Sequence, residues 1–154
     1  MRTRPYAAAD HDALIALFRT SVRSLAGADY TLGQVLAWAP DEIDRDGWKV
    51  RLAASSTWVA TSDGPAAGFI SMEWDGHIDM LYVHPDFQSR GVASMLLRRL
   101  EASAEARGLV RLFTEASIAA RPFFERRRFR VIAAQDVIRR GQALANFRME
   151  RRLA

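Results

Sequence analysis

The segment from His77 to Leu97 constrains the fold of this chain more than any other. Its first seven residues, HIDMLYV, alternate as in a half-buried strand, and after a turn at 84–87 apolar residues return at helical spacing. Between turn and helix stands QSRGVA (88–93), with small residues at positions 91 and 93. The first amides of a helix lack internal partners and the helix dipole is positive there, so the segment predicts a phosphate or pyrophosphate site. Close helix packing is the alternative role for Gly91.

The remaining patterns predict an α+β fold with a mainly antiparallel sheet and helices on both faces. Strands are predicted over 2–6, 57–60, 67–73, 77–83, 109–115, 130–137 and 143–149, with Pro5 marking an edge strand. Helices are predicted after the caps Asp10, Thr31 and Asp41 or Asp44, over 89–107 and over 119–127. Neither a linker nor a repeat interrupts the 154 residues, so we expect a single domain over 1–154.

The chain contains no cysteine. This excludes disulfides, zinc–cysteine sites, iron–sulfur clusters and thiol nucleophiles. Its three histidines are too dispersed in sequence to predict a metal site. No apolar run approaches the ~18 residues of a membrane span, and no signal-peptide core follows the first residues, so we expect a soluble, cytoplasmic protein.

Positive charge is concentrated near the end of the chain. The formal net charge is +4, every basic residue except Lys49 is arginine, and ten arginines lie between 121 and 154. Such a region could attract phosphates, nucleic acid or an acidic partner, or could simply form solvated surface. The arginines do not alternate with a platform of stacking aromatics, which argues against a single-strand nucleic-acid binder.

Three motifs together resemble those of the GNAT acetyltransferases. QSRGVA (88–93) resembles the family's Q/R-x-x-G-x-G/A signature, LYVHP (81–85) its strand end, and FFERRRF (123–129) its F-Y-E-K-x-G-F segment. The similarity covers the whole chain and is greatest to the YafP-like bacterial branch. It implies the GNAT fold, in which acetyl-CoA binds where two central strands splay apart. The cofactor contacts that it implies are Leu81, Tyr82, Val83, Gln88, Ser89, Arg90, Gly91, Val92, Ala93, Ser94, Ser117 and Phe124.

For proton transfer we consider the strand before the signature. Strict alternation would place His77, Asp79 and Leu81 on one face, and Ile78, Met80 and Tyr82 on the other. Two titratable groups two residues apart on an apolar strand are unusual, so Asp79 is the first and His77 the second candidate for the base that accepts the amine proton. Glu73 is a weaker third. For Asp79 and His77, the alternative is a local structural role in the hairpin.

The acid of the reaction is less clear. The resemblance places Phe124 where many family members use a tyrosine to protonate the leaving thiolate. Water, Ser117, Tyr30 or Tyr82 would have to replace that tyrosine, or the thiolate would leave unassisted. The lack of cysteine also removes an acyl-cysteine route and favours direct transfer.

The acceptor is predicted to be a primary amine of a small molecule or a peptide. Tyr30, Gln34 and Trp38 recur at helical spacing and could wall its pocket together with Trp74 at the hairpin. A homodimer is conceivable through the last two strands, as in related proteins. Two alternative functions stay open: a non-catalytic sensor of acyl-CoA, and an acetyltransferase whose acceptor amine is linked to tRNA or another nucleic acid.

Overall fold

One seven-stranded sheet with helices on both faces forms the computed structural model, which describes residues 1–153. The strands are β1 (Arg2–Pro5), β2 (Ser56–Thr61), β3 (Ala66–Met72), β4 (His77–Val83), β5 (Arg111–Ser117), β6 (Arg130–Arg139) and β7 (Gln142–Arg152). The α-helices are α1 (His11–Arg23), α2 (Leu32–Trp38), α3 (Arg45–Ala54), α4 (Val92–Ala106) and α5 (Arg121–Glu125). The predicted mixed α+β class is confirmed.

The strand order is β1-β2-β3-β4-β5-β7-β6. Every pair is antiparallel except β4–β5, which is parallel. β1 lies at one edge of the sheet, as Pro5 predicts, because proline cannot donate to a neighbouring strand. None of the helices described over residues 1–153 is long and apolar enough to cross a membrane.

Local capping chemistry explains where two of the helices begin. The Thr31 hydroxyl accepts from the Gln34 amide at 3.1 Å, and the Gln34 side chain accepts from the Thr31 amide at 2.9 Å, which forms a capping box on α2. On α3 the Asp44 carboxylate caps the helix by accepting from the Gly47 amide at 3.0 Å. Asp10 precedes α1 as predicted, but its side chain does not cap the helix; it forms two 2.7 Å bonds to the Arg4 guanidinium instead.

The sheet separates two apolar cores. α4 packs one core through Leu96, Leu97 and Leu100, while α1, α2 and α3 cover the other face of the sheet. Gly68 of β3 allows α4 to begin close to the sheet, because an added Cβ would lie 2.9 Å from the Tyr82 carbonyl oxygen and 3.0 Å from Val92 Cγ1. The start of α4 is therefore held tightly against the beginning of β3 and the end of β4.

A β-bulge interrupts β4. Ser71 pairs with Met80 and Met72 pairs with Ile78, so Asp79 is an extra residue on β4 with no partner on β3. Bulges reverse the alternation of the strand that carries them, since two consecutive residues oppose a single one.

The bulge corrects the predicted faces of this strand. Ile78 and Leu81 pack with the α4 core, whereas Met80 and Tyr82 pack with the core on the opposite face. Asp79 lines a cavity on that opposite face together with Met80 and Tyr82. The prediction that Ile78 shares a face with Met80 and Tyr82, and Asp79 with Leu81, is therefore wrong.

Candidate active site

β4 and β5 separate after a short contact. They pair only at His77 with Phe113 and at Ile78 with Thr114, where the Thr114 hydroxyl donates to the Ile78 carbonyl at 2.9 Å. Beyond this apex β4 remains paired to β3 only, and β5 to β7 only. The β5-facing polar groups of 79–83 therefore lack a strand partner, and an extended ligand could pair with them as an added strand. Leu81, Tyr82 and Val83, three predicted cofactor contacts, lie along this open edge.

The diverging strands β4 and β5 form a V that is closed at the His77–Phe113 and Ile78–Thr114 pairs. The N-terminus of α4 lies at the open end of this V. Gly91 is the N-cap with φ +77°, and an added Cβ there would meet nothing within 4 Å. The first backbone hydrogen bond of the helix runs from the Met95 amide to the Gly91 carbonyl, so the amides of 92–94 are free for a ligand. The Gln88 side chain donates to the Val83 carbonyl at 3.2 Å and ties the turn to the strand end. All seven predicted contacts of this segment, residues 88–94, lie in the turn and the first helical turn.

A cavity of about 790 Å³ opens on the other face of the sheet at the same splay. Its walls are aromatic side chains from α1, α2, α3 and β4, with the β6–β7 hairpin opposite them: Phe18, Tyr30, Trp38, Trp48, Tyr82, Val137, Arg139, Arg140, Leu144 and Asn146. Asp79, Glu115 and Ser117 lie where the cavity meets the V. The V therefore joins the helix N-terminus on one face to a cavity with aromatic walls on the other.

The structure brings only two of the four predicted acceptor residues into this cavity. Tyr30 and Trp38 line it, with ring centroids 5.6 Å apart. The predicted helical stripe fails at Gln34, because α2 begins after Tyr30 and the Gln34 side chain caps the helix and donates to the Ala143 carbonyl. Trp74 is 78% exposed in the β3–β4 hairpin, next to the end of the V where β4 and β5 are paired. It does not line the cavity.

Asp79 forms an ion pair that the sequence does not reveal. Its carboxylate accepts two hydrogen bonds from the Arg51 guanidinium of α3, at 2.5 and 2.7 Å, and its side chain is only 13% exposed. The hydrogen bond to Asp79 raises the pKa of Arg51, so the cation persists at every working pH. Arg51 holds the carboxylate at the mouth of the V.

His77 lies between two carboxylates. Its Nδ1 lies 2.6 Å from Glu73 Oε1 and its Nε2 lies 2.7 Å from Glu115 Oε1. The hydrogen bond to Glu115, reinforced by the one to Glu73 and opposed by burial, raises the pKa of His77 to about 9. At neutral pH both ring nitrogens therefore carry protons and donate, so His77 has no lone pair to accept a proton. This argues against His77, the second-choice base, and leaves Asp79.

We expect the free energy of unfolding to decrease as His77 deprotonates. The folded-state pKa is above the ordinary value of 6.5, so this stabilisation is fully present below pH 6.5 and is lost as pH rises through about 9. The full effect is about 3 kcal/mol at most. Urea unfolding at a series of pH values should show this decrease for the native protein and a flatter profile for His77→Gln; parallel profiles would contradict the assignment.

Glu73, His77 and Asp79 also bring one potential metal-ligating atom each within 4.8 Å of one another. Each of these groups already has a side-chain partner: His77 is bonded to the two glutamates, and Asp79 to Arg51. The cluster is therefore satisfied as an ion-pair network and needs no metal.

Phe124 is buried, with 2% exposure, and packs between Phe123 and Phe129 in the α4 core. It does not line the aromatic cavity. Ser117, the other predicted contact on this wall, does line the cavity, and its hydroxyl accepts from the Ala120 amide at 3.1 Å.

Two tyrosines have hydroxyls near the V, and each oxygen accepts one hydrogen bond, which leaves its own proton available. The Tyr30 oxygen accepts from the Ile118 amide at 2.9 Å, and the Tyr82 oxygen accepts from Trp38 Nε1 at 3.3 Å. Burial raises the pKa of Tyr82 to about 12, which makes this hydroxyl a poor proton donor. Tyr30 is therefore the stronger candidate.

Sequence reasoning missed Arg51, Glu115 and Asn146. Alternation along β5 could have found Glu115, a charged residue between the buried Thr114 and Ala116. The Asn146 Oδ1 is buried beside the cavity without a hydrogen-bond partner among residues 1–153. Nothing in the sequence marks Arg51 or Asn146, because each reaches the site from an element far away in the chain.

Comparison with known proteins bears on this arrangement. A family model described as acetyltransferase (GNAT) domain matches residues 27–151. The chain is 40% identical over 149 residues to the uncharacterized N-acetyltransferase YafP of Escherichia coli K12, covering 97% of this chain and 94% of that protein.

Solved structures show the same fold. A GCN5-related N-acetyltransferase from Rhodopseudomonas palustris superposes with a TM-score of 0.93 at 37% identity, covering 98% of this chain and 94% of that one. The PaiA N-acetyltransferase from Thermoplasma acidophilum, solved in complex with coenzyme A, has a TM-score of 0.80 at 16% identity and covers 98% of each chain. At that identity the second likeness concerns the fold alone.

Proposed function

Because the chain belongs to the GNAT N-acetyltransferases, we propose that it transfers an acetyl group from acetyl-CoA directly to a primary amine of a small molecule or a peptide. The observation that carries this proposal is the splay of β4 from β5, which connects the bare N-terminus of α4 with the aromatic cavity. An acyl donor entering from one face would meet an acceptor entering from the other.

The residues present fit acetyl-CoA. The free amides at 92–94 and the open space in front of Gly91 suit the pyrophosphate, with Ser89 and Arg90 beside them. The unpaired edge of β4 suits the amides of the pantetheine arm, which would pair with it as a strand does. Ser117 would line the opposite wall, whereas the buried Phe124 supports that wall from behind.

When bound, acetyl-CoA supplies the acyl group: the amine nitrogen bonds to the acyl carbon, the carbon–sulfur bond breaks, and the sulfur leaves with the electron pair. The Asp79 carboxylate accepts the ammonium proton, directly or through one water, and Arg51 keeps that carboxylate aimed at the V. Tyr30 donates its proton to the sulfur, and the Ile118 amide stabilises the oxygen that remains. As the amide forms, the nitrogen loses a second proton, which restores the Tyr30 hydroxyl, and the proton held by Asp79 passes to solvent. Of the two protons that the ammonium loses, one thus replaces the proton given to the thiol and the other is released.

We expect Tyr30→Phe to lower kcat by roughly 10- to 100-fold, because the variant removes only the proton of the leaving-group acid. The affinity for CoA should stay within a factor of two. The measurement is steady-state thiol release, with Tyr82→Phe as the matched control, since burial raises the pKa of the Tyr82 hydroxyl and makes it a poor proton donor. Equal losses in the two variants would argue against Tyr30 as the acid.

The test of the activity itself is thiol release from acetyl-CoA with purified protein and a panel of primary amines. Turnover supports the proposal, and tight CoA binding without turnover over a broad panel supports the alternative of an acyl-CoA sensor. The panel should pair each amine with its carboxylated counterpart. Arg139 and Arg140 line the rim of the cavity without an acidic partner among residues 1–153, which favours acceptors that also carry an anionic group.

A nucleic-acid-linked acceptor makes a different prediction. It requires RNA affinity that falls steeply with salt, because phosphate contacts release counterions.

A homodimer would pair along β6, the free sheet edge opposite β1. Light scattering measures the molar mass and so tests for this dimer.

A further inference from the structure

A second cavity, of about 560 Å³, lies between α4 and the segment that follows α5. Its lining is strongly basic, with five arginines against one glutamate: Arg98, Glu101, Arg126, Arg127, Arg128 and Arg151, together with Ser94 and Leu97. The proposed reaction uses none of these charges.

Most of this positive charge is uncompensated. Arg151 forms an ion pair with Glu101 at 2.5 Å, but the other four arginines form no ion pair within residues 1–153. Arg127 lies 3.8 Å over the ring of Phe123 and donates to the Ser94 hydroxyl. Burial lowers the pKa of Arg127, and the nearby positive charges of Arg126 and Arg98 lower it further. Like charges so close together repel one another until an anion binds among them.

Arg128 adds backbone strain to this crowding. Its φ is +69°, in the left-handed region where an L-residue is strained and glycine is not. It stands at the glycine position of the F-Y-E-K-x-G-F segment that residues 123–129 resemble. The chain therefore keeps a charged side chain at a position where glycine would fold more easily, and strain of this kind concentrates at ligand sites.

Ser94 connects the two sites. It contributes one of the free amides at the start of α4 and also lines the arginine cavity. In CoA one ribose carries both the 5′-pyrophosphate and the 3′-phosphate, so a pyrophosphate on the amides of 92–94 would leave the 3′-phosphate within reach of the cavity that Ser94 lines. Resting on the proposed function, we propose that the arginine cavity binds the ribose 3′-phosphate of CoA, with Arg128 and Arg98 as its principal cations.

The experiment compares CoA with 3′-dephospho-CoA by calorimetry in a chloride buffer. We expect the native protein to bind CoA at least about tenfold more tightly, since charge-assisted hydrogen bonds to phosphate supply the difference. Arg128→Gly should remove most of that preference, leave the affinity for 3′-dephospho-CoA unchanged, and leave the melting temperature unchanged or raised. Arg2→Gln, which removes one exposed arginine on the distant edge strand β1, is the control for net charge and should keep the preference.

Equal affinity of the native protein for the two ligands would overturn the proposal while leaving acetyl-CoA binding intact. Failure of both ligands to bind would instead refute the proposed function. Free phosphate is the other source of the same chemistry. Inorganic phosphate should therefore compete with CoA more strongly than with 3′-dephospho-CoA; binding of phosphate to the CoA-saturated protein would show a separate anion site and overturn the assignment.

Discussion

Asp79→Asn is expected to reduce kcat for acetyl transfer by roughly 10²- to 10⁴-fold, because it removes the group that accepts the amine proton. The amide keeps the size of the side chain and one acceptor oxygen for Arg51, so the fold should survive. The affinity for CoA should be unchanged, since the free amides of α4 and the open edge of β4 are intact. Thiol release and calorimetry measure the two quantities on the same preparation.

Two further variants make this result specific. Asp63→Asn changes an exposed aspartate in the β2–β3 turn and should keep full activity. Arg51→Gln keeps the Asp79 carboxylate but removes the cation that orients it, so it should retain more activity than Asp79→Asn. An Asp79→Asn enzyme with kcat within threefold of the native value would exclude Asp79 as the base.

Gly91→Glu is expected to weaken CoA binding by at least about 100-fold, the second large effect. The substituted side chain would project into the open space before α4, where its carboxylate would take the place of the pyrophosphate. A negative charge at a helix N-terminus is itself stabilising and offsets the strain of φ +77°, so the variant should still fold. Calorimetric titration with CoA measures the loss.

The matched control is Gly108→Glu. Gly108 follows the other end of α4 with φ +73° and open space around it, so the same side chain meets the same backbone strain far from the ligand. This variant should bind CoA normally. If both variants lost affinity equally, the cause would be damage to α4 rather than a blocked pyrophosphate site.

Local chemistry made much of the fold predictable. Thr31 and Asp44 cap the helices that they were expected to cap, because a cap depends on residues only two or three positions away. Asp10 departs from its expected role because Arg4, six residues earlier on the edge strand, offers its carboxylate a charged partner.

The candidate site was harder to predict. The bulge at Asp79 arises from pairing between β3 and β4, and no residue type announces it. Arg51 reaches Asp79 across 28 positions of sequence, so a pattern search along one strand cannot reveal it. The sequence predicts Trp74 as a pocket wall together with Trp38, but Trp74 lies at the hairpin tip, beyond the closed end of the V. Motifs point to the candidate site, whereas long-range contacts decide which side chains meet there.

The two halves of the cleft differ in the kind of atom they offer. The open edge of β4 and the start of α4 present main-chain groups, while the aromatic cavity presents side chains from three helices and the β6–β7 hairpin. A point mutation replaces a side chain but leaves a backbone amide in place. Substitutions at Trp38, Arg139 or Arg140 would therefore change the proposed acceptor preference while the main-chain contacts to the donor are retained.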